Sequence, residues 1–354
     1  MIETLAAQIA TLTHDYHCDI EGGYRITPAH VVEWVNQFDE HDRTFILSEL
    51  LHLLGQGIYI QRVQAKEWLL NLVRGAAQYY KYSTTDEFLN KTQFICLQPD
   101  GKSQCVLLEL LNEVLIETFN KPLEQCGVLA PNTYIYIDDI LATGKTFFSN
   151  ISDWLGENNR LEQLKNGQIK FMAYFFCTHT WGVNTARYML KMKMGQDFFL
   201  DAKKFVIHGK YKVENNIKGF NEKLNLLYPQ TPQPDFDVYL GGLAGIAKNH
   251  RDRAYRPLNM PSTEHFFSSK ENRNRFETIF VQKGIEIINK IQDEQKRKNH
   301  RPLGKTYPSY HTFGTGTMFF TWRNISNTCP IVLWWDNPAH HWKGLFPLFN
   351  RGTH

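Results

Sequence analysis

Tyr134–Phe148, YIYIDDILATGKTFF, opens as a strand and closes as the start of a helix. Its aromatic and β-branched opening suits a strand buried on both faces in a parallel sheet. The run ends in two carboxylates, Asp138 and Asp139, followed by Ile140 and Leu141. Ala142, Thr143, Gly144, Lys145 and Thr146 come next, at the point where a helix is expected to begin. Small and hydroxylated residues there let several backbone N–H groups converge on an anion. Two carboxylates repel a phosphate but accept hydrogen bonds from a vicinal diol. A ribose 5-phosphate offers a diol and a phosphate on one molecule.

Gly144-Lys145-Thr146 also reads as the end of a nucleotide-binding P-loop. That motif needs a glycine five positions earlier, where the backbone wraps the phosphates. Asp139 stands there instead, with a negative charge and a Cβ. Capping is the ordinary use of a strand-end Asp, and two adjacent ones exceed what one cap needs.

Upstream, Phe94–Leu97 is a short apolar run, followed by Gln98-Pro99-Asp100-Gly101-Lys102-Ser103-Gln104 and then the helical pattern CVLLELLNEVLIETF. Pro-Asp-Gly is ordinary turn chemistry. The same loop can serve as a second anion loop, with Gly101 admitting close approach, Lys102 supplying charge and Ser103 capping the helix. Downstream, a helix over Lys145–Leu155 leads to a strand over Ile169–Cys177. Thr178–Gly182 then brings His179 and Trp181 to the same edge of a parallel sheet, where ligands of open α/β sheets bind. A short strand at Lys204–His208 completes the sheet.

The residues before about 90 read as helical. Thr27-Pro28 starts one helix, and Asp42 onwards gives a second, ended by Gly55-Gln56-Gly57. A third covers about Gln61–Val73. The Pro-rich TPQPD at Thr231–Asp235 marks a boundary. Beyond it lie a Gly-rich apolar segment, the basic loop NHRDRAYRP, and a long helix over Ser269–Lys298. The basic run Lys296–Arg301 reads as a solvated helix end, and GTGTMFFTW and CPIVLWW as two last strands. The expected organisation is a helical region over 1–90, an α/β core over 91–232 and an α+β extension over 233–354. Trp334, Trp335, Trp342, Phe346 and Phe349 are too apolar for a free tail, so the end of the chain should fold back, carrying Arg351 towards an anion.

The chain has 354 residues, is 42% hydrophobic and carries a formal charge of +3. That is enough apolar residue for a substantial core, and too little charge to argue by itself for nucleic acid or membrane. No apolar run approaches the ~20 residues of a membrane span, and the amphipathic N-terminus is not a secretory signal. Six cysteines, without paired metal spacing, read as reduced, mostly buried thiols of a cytoplasmic protein.

The Asp-Asp strand resembles the ribose-phosphate signature of type I phosphoribosyltransferases, with Ala142 where Thr is commoner. Several segments in their order resemble one branch of that fold, the phosphoribosyltransferase-like proteins of bacterial conflict systems labelled PRTase-CE. They are ITPAHVVEWVNQFDEHDR, QPDGKSQ, YIYIDDILATGKT, RPLG (Arg301–Gly304), NTCPIVLWWDN (Asn327–Asn337) and WKGLFPLFNR (Trp342–Arg351). The resemblance implies an α/β, Rossmann-like core with a parallel sheet, an N-terminal helical element and a C-terminal α+β extension. It implies that Asp138 and Asp139 hold the ribose diol and that Ala142, Thr143, Gly144, Lys145 and Thr146 hold its phosphate. Gln98, Gly101, Lys102 and Ser103 would meet pyrophosphate, with Asp138, Asp139 and Lys102 the catalytic set. His179 and Arg351 are further candidates. Mg²⁺ would be held through the ligand rather than by protein groups directly.

The function this resemblance implies is an anti-phage effector acting on phosphoribosyl pyrophosphate or a nucleotide at C1 of the ribose. Its implied partners are a retron reverse transcriptase with its DNA and RNA and a winged-helix protein, with no membrane. Two alternatives stand beside it: a non-catalytic ribose-phosphate sensor, and a structural subunit of a defence ribonucleoprotein.

Overall fold

The computed structural model describes residues 1–195, 201, 203–215, 223–243 and 254–348, the side chains of 295 and 296 apart. The chain forms two compact units, one of residues 1–62 with 214–354 and one of residues 63–213. Among the described residues no helix is long and apolar enough to cross a membrane.

Three helices open the first unit: α1 (Ile2–Leu12), α2 (Pro28–Val35) and α3 (Glu40–Leu53). As the sequence predicts, Thr27 caps α2, its hydroxyl accepting from the His30 N–H, with Pro28 at the first turn. A π-helical turn at Leu54–Ile58, with Gly57 at φ 75°, ends the α3 segment and hands over to strand β1 (Tyr59–Ile60).

The second unit begins with α4 (Arg62–Tyr79), longer than predicted, and α5 (Thr85–Lys91). Its sheet then alternates strands and helices: β2 (Thr92–Ile95), α6 (Ser103–Phe119), β3 (Thr133–Leu141), α7 (Lys145–Gly156), α8 (Arg160–Lys165), β4 (Lys170–His179), α9 (Thr180–Met194) and β5 (Phe205–Val213). All four strands are parallel, in the order β2-β3-β4-β5. Both faces are covered, which is why β4 reads as an unbroken apolar run. Alternation separates the faces. Tyr136, Phe171, Ala173 and Phe175 pack with Phe147, Ile151 and Trp154 of α7, Leu164 of α8 and Leu190 of α9. Phe176, of the opposite parity, meets Trp68 of α4 edge to face. Helix α6 lies beside α4, joined through Lys66 to Glu113 and Glu117. The helices that follow the neighbouring strands β2 and β3 therefore leave to opposite faces. The carboxyl ends of these two strands are thus a switch point of the topology, the usual site for a ligand in such sheets.

The chain returns to the first unit with α10 (Pro234–Gly242), α11 (Lys270–Lys290) and α12 (Glu294–Asn299). The expected single helix over 269–298 is thus two, divided after Lys290, and the first of them is capped by the Ser269 hydroxyl. Of GTGTMFFTW only β6 (Phe320–Thr321) is strand, pairing parallel with β1 and antiparallel with β7 (Asn324–Ile325). The predicted strand CPIVLWW is a short helix, α13 (Ile331–Trp334). A brief apolar run buried on all sides carries no period that distinguishes the two.

Of the carboxyl-terminal aromatics, Trp334, Trp342 and Phe346 are buried as composition demanded and Trp335 is half-buried. Trp34 and Trp342 both donate to the Val332 carbonyl, His30 Nε2 lies 2.9 Å from the Leu345 carbonyl, and Phe38 meets Trp342 edge to face. Arg301, read as part of a solvated helix end, is fully buried instead and donates to the carbonyls of Lys298, His300 and Pro308. Arg256 of the basic loop is buried too, paired with Glu277 at 3.1 Å.

Candidate functional site

Asp138 lies on β3 with its side chain on the face of Tyr136, two residues earlier, and is 6% exposed. Four donors surround its carboxylate. Oδ1 accepts from the Ser103 hydroxyl at 2.5 Å and the Asp139 N–H at 2.9 Å. Oδ2 accepts from Gln98 Nε2 at 2.6 Å and the Tyr136 hydroxyl at 3.0 Å. Gln98 also donates to Tyr136, and Asn150 of α7 reaches the same hydroxyl at 3.5 Å. Burial, reinforced by the neighbouring charge of Asp139, pushes the Asp138 carboxyl up to about 7, against the pull of these donors.

The loop after β2 is thus tied to β3 at both ends. Gln104, fully buried, accepts from the N–H groups of Leu97 and Gln98 and donates to the Ile95 carbonyl. Gly101 holds φ 77°, a conformation that favours glycine. Lys102, not Ser103, is the N-cap of α6, and the Ser103 hydroxyl is spent on Asp138 rather than on capping. The Lys102 side chain is exposed at the loop's tip.

Asp139 is half-buried, points to the opposite face from Asp138 and accepts from the Ile140 N–H at 2.7 Å. Ala142 and Thr143 follow half-buried, and Lys145 and Thr146 are exposed in the first turn of α7. Gly144 is the N-cap of α7, at φ 80°. A Cβ there would lie 2.5 Å from the Gly182 carbonyl oxygen, and a Cβ on Gly182 would lie 2.1 Å from that of Ala142. The loop after β3 is therefore seated directly on the first turn of α9, a contact only glycine at both positions allows.

His179, at the end of β4, is fully buried, and burial lowers its imidazole to about 3. It is a neutral core histidine, not the exposed loop residue that is the common case. Arg351 and Phe349 lie outside the described residues.

Sequence reasoning passed over Tyr136, Gln104 and Asn150. Strand parity carries a signal for Tyr136, which must share a face with Asp138. Gln104 and Asn150 sit on helices and carry none. The donor set bears on Mg²⁺ as well. Among the described residues no group of three His, Cys, Asp or Glu side chains could hold a metal ion. Both oxygens of Asp138 already carry donors, so an ion brought by a ligand would be met by the ligand's own oxygens and, from this chain, by Asp139. Mg²⁺ is commonly held this way, through phosphates and one carboxylate.

A family model described as PRTase-CE matches residues 31–348, nearly the whole chain and all of this site. The chain belongs to the PRTase-CE family. The family assigns the sheet and its loops to a Rossmann-like phosphoribosyltransferase core. No curated protein and no solved structure matches the chain significantly.

Proposed function

We propose that the chain binds phosphoribosyl pyrophosphate, or a nucleotide with the same ribose-phosphate moiety, at the switch point between the loops after β2 and β3. Asp139 accepts hydrogen bonds from the ribose diol, and the backbone of Ala142–Thr146 takes the 5′-phosphate. Gly101, Lys102 and the loop around them face the pyrophosphate or the remaining phosphates. Asp138 holds Gln98 and Ser103 in place. The observation that carries this reading is the single buried carboxylate of β3 that ties down the loop after β2. On this reading Asp138 organises the site and Asp139 binds the diol.

The reaction class is transfer or hydrolysis at C1. Such a step passes through an oxocarbenium-like state and needs positioning and charge stabilisation more than covalent machinery. Mg²⁺, brought with the ligand, would supply charge neutralisation on the pyrophosphate. In the cell we place the protein in the cytoplasm as an anti-phage effector, with a retron reverse transcriptase, its DNA and RNA, and a winged-helix protein as the partners this reading calls for. Incubation with phosphoribosyl pyrophosphate or nucleotides and Mg²⁺, with and without those partners, should release pyrophosphate or free base. No product and no binding under any of these conditions would overturn the reading.

Saturation of Asp138 by the chain's own donors favours a second reading, a sensor that binds the ribose phosphate without turnover. Binding by calorimetry with no pyrophosphate released identifies it.

A further inference from the structure

Two cysteines bracket the loop after β2. Cys96 follows the last residue of the strand and is exposed, and Cys105 lies half-buried in the first turn of α6. Their sulfurs are 3.1 Å apart, about 1 Å longer than a disulfide bond. The segment between them is short, so closing it costs little chain entropy. Each sulfur also lies within reach of the loop's backbone: Cys96 Sγ is 3.6 Å and Cys105 Sγ 3.5 Å from the Gln98 carbonyl, and Cys105 Sγ is 3.5 Å from that of Pro99. The other four cysteines are differently placed. Cys126, Cys177 and Cys329 are buried, and Cys18 is half-buried against Asp19.

We propose that Cys96 and Cys105 form a dithiol site that closes reversibly to a disulfide by exchange with a low-molecular-weight disulfide, and that closure changes the state of the Gln98–Ser103 loop. Cys96, as its thiolate, attacks one sulfur of the small disulfide and expels the first small thiolate, leaving a mixed disulfide on the protein. Cys105 then attacks the Cys96 sulfur, forms the Sγ–Sγ bond and expels the second. Two protein thiols are oxidised, one small disulfide is reduced to two thiols, and the two protons pass to the leaving thiolates. Exposure sets the order of events, because Cys96 is the more open of the two to solvent. Burial, with the hydrogen bond to Cys96, pushes the Cys105 thiol up to about 12, which makes it the slower of the two thiols to ionise and the second to attack.

Closure removes both S–H donors from the Gln98 and Pro99 carbonyls and draws the base of the loop together. Gln98 and Ser103 hold Asp138, so the change reaches the ribose-phosphate site. This regulatory half rests on the ribose-phosphate reading; the dithiol itself does not. In a reducing compartment such a pair serves as a transient sensor rather than a structural bridge.

The test treats the full chain with oxidised glutathione, then with dithiothreitol. Two of the six thiols should be lost and then recovered, and a non-reducing peptide map should show one link, Cys96 to Cys105. Cys105→Ser should stop at a glutathione adduct on Cys96, and Cys96→Ser should lose no thiol. A stable adduct on Cys96 in the unaltered chain, or a link through another cysteine, overturns the dithiol. Amide exchange over residues 97–104 should differ severalfold between reduced and oxidised chains and stay constant in Cys96→Ser; equal rates overturn the loop half. A thermal shift by phosphoribosyl pyrophosphate with Mg²⁺ should differ between the two forms. Equal shifts overturn the regulation, whereas no shift in either form counts against the ligand and leaves the cross-link and exchange results to decide the site.

Discussion

Asp138 and Asp139 are adjacent in sequence, and alternation along a strand turns their side chains to opposite faces of the sheet. Substitution should separate them. In Asp138→Asn the amide nitrogen must face either the Ser103 hydroxyl and the Asp139 N–H or the Gln98 amide and Tyr136 hydroxyl. Donor then meets donor at one buried position, at a cost of about 1–3 kcal/mol, visible as a lower midpoint in denaturant. Asp139→Asn should leave that midpoint in place and weaken ligand binding roughly ten- to a hundredfold, the worth of a hydrogen bond to a charged group. Equal losses of stability in both would contradict the assignment. The raised carboxyl of Asp138 also has a pH signature. Between the ordinary carboxylate value of 3.8 and about 7 the folded chain keeps a proton that the unfolded chain has released. Stability contributed by this group therefore falls as pH rises through that window and is level above it. Melting temperature against pH should show this component in the unaltered chain and lack it in Asp138→Asn.

Among the elements, the contact between the loop after β3 and the start of α9 is the least forgiving. Gly144→Val places a side chain 2.5 Å from the Gly182 carbonyl oxygen in a left-handed conformation. Overpacking alone costs about 1–3 kcal/mol, and the displaced backbone can no longer present its N–H groups together. Lys145 is exposed in the first turn of α7, so Lys145→Ala should cost little in either stability or binding. A P-loop would show the reverse, with Lys145→Ala abolishing nucleotide binding. Comparing the two variants by calorimetry and melting decides between them.

At the scale of the whole chain, the first unit is made from both ends of the sequence. Tyr16 donates to the Pro347 carbonyl, Trp322 N–H donates to Ile60, and the Trp342 ring closes on Phe38. Removing one large aromatic from such a core leaves a cavity as well as losing its transfer energy. Trp342→Ala should cost about 3–5 kcal/mol in chemical denaturation. A loss below about 1 kcal/mol would mean that the tail is a surface attachment.

The parts legible in the sequence are those whose signal is local. The strand Thr133–Leu141, its loop and the following helix announce themselves by β-branched residues, paired carboxylates and glycine within one short window. The Thr27 cap follows from a single side chain that serves its own helix. Burial of the last aromatics follows from hydrophobicity alone. What they are buried against depends on pairings some three hundred residues apart, as between Trp34 and Val332, and no local period encodes those. CPIVLWW became a helix in surroundings that are apolar on every side, and Arg301 became a core residue where three backbone carbonyls accept from its guanidinium. The same holds at the site. That two acids end the central strand is plain from local sequence; the donors that meet Asp138 lie in another loop, and it took the fold to bring Gln98 and Ser103 onto its carboxylate.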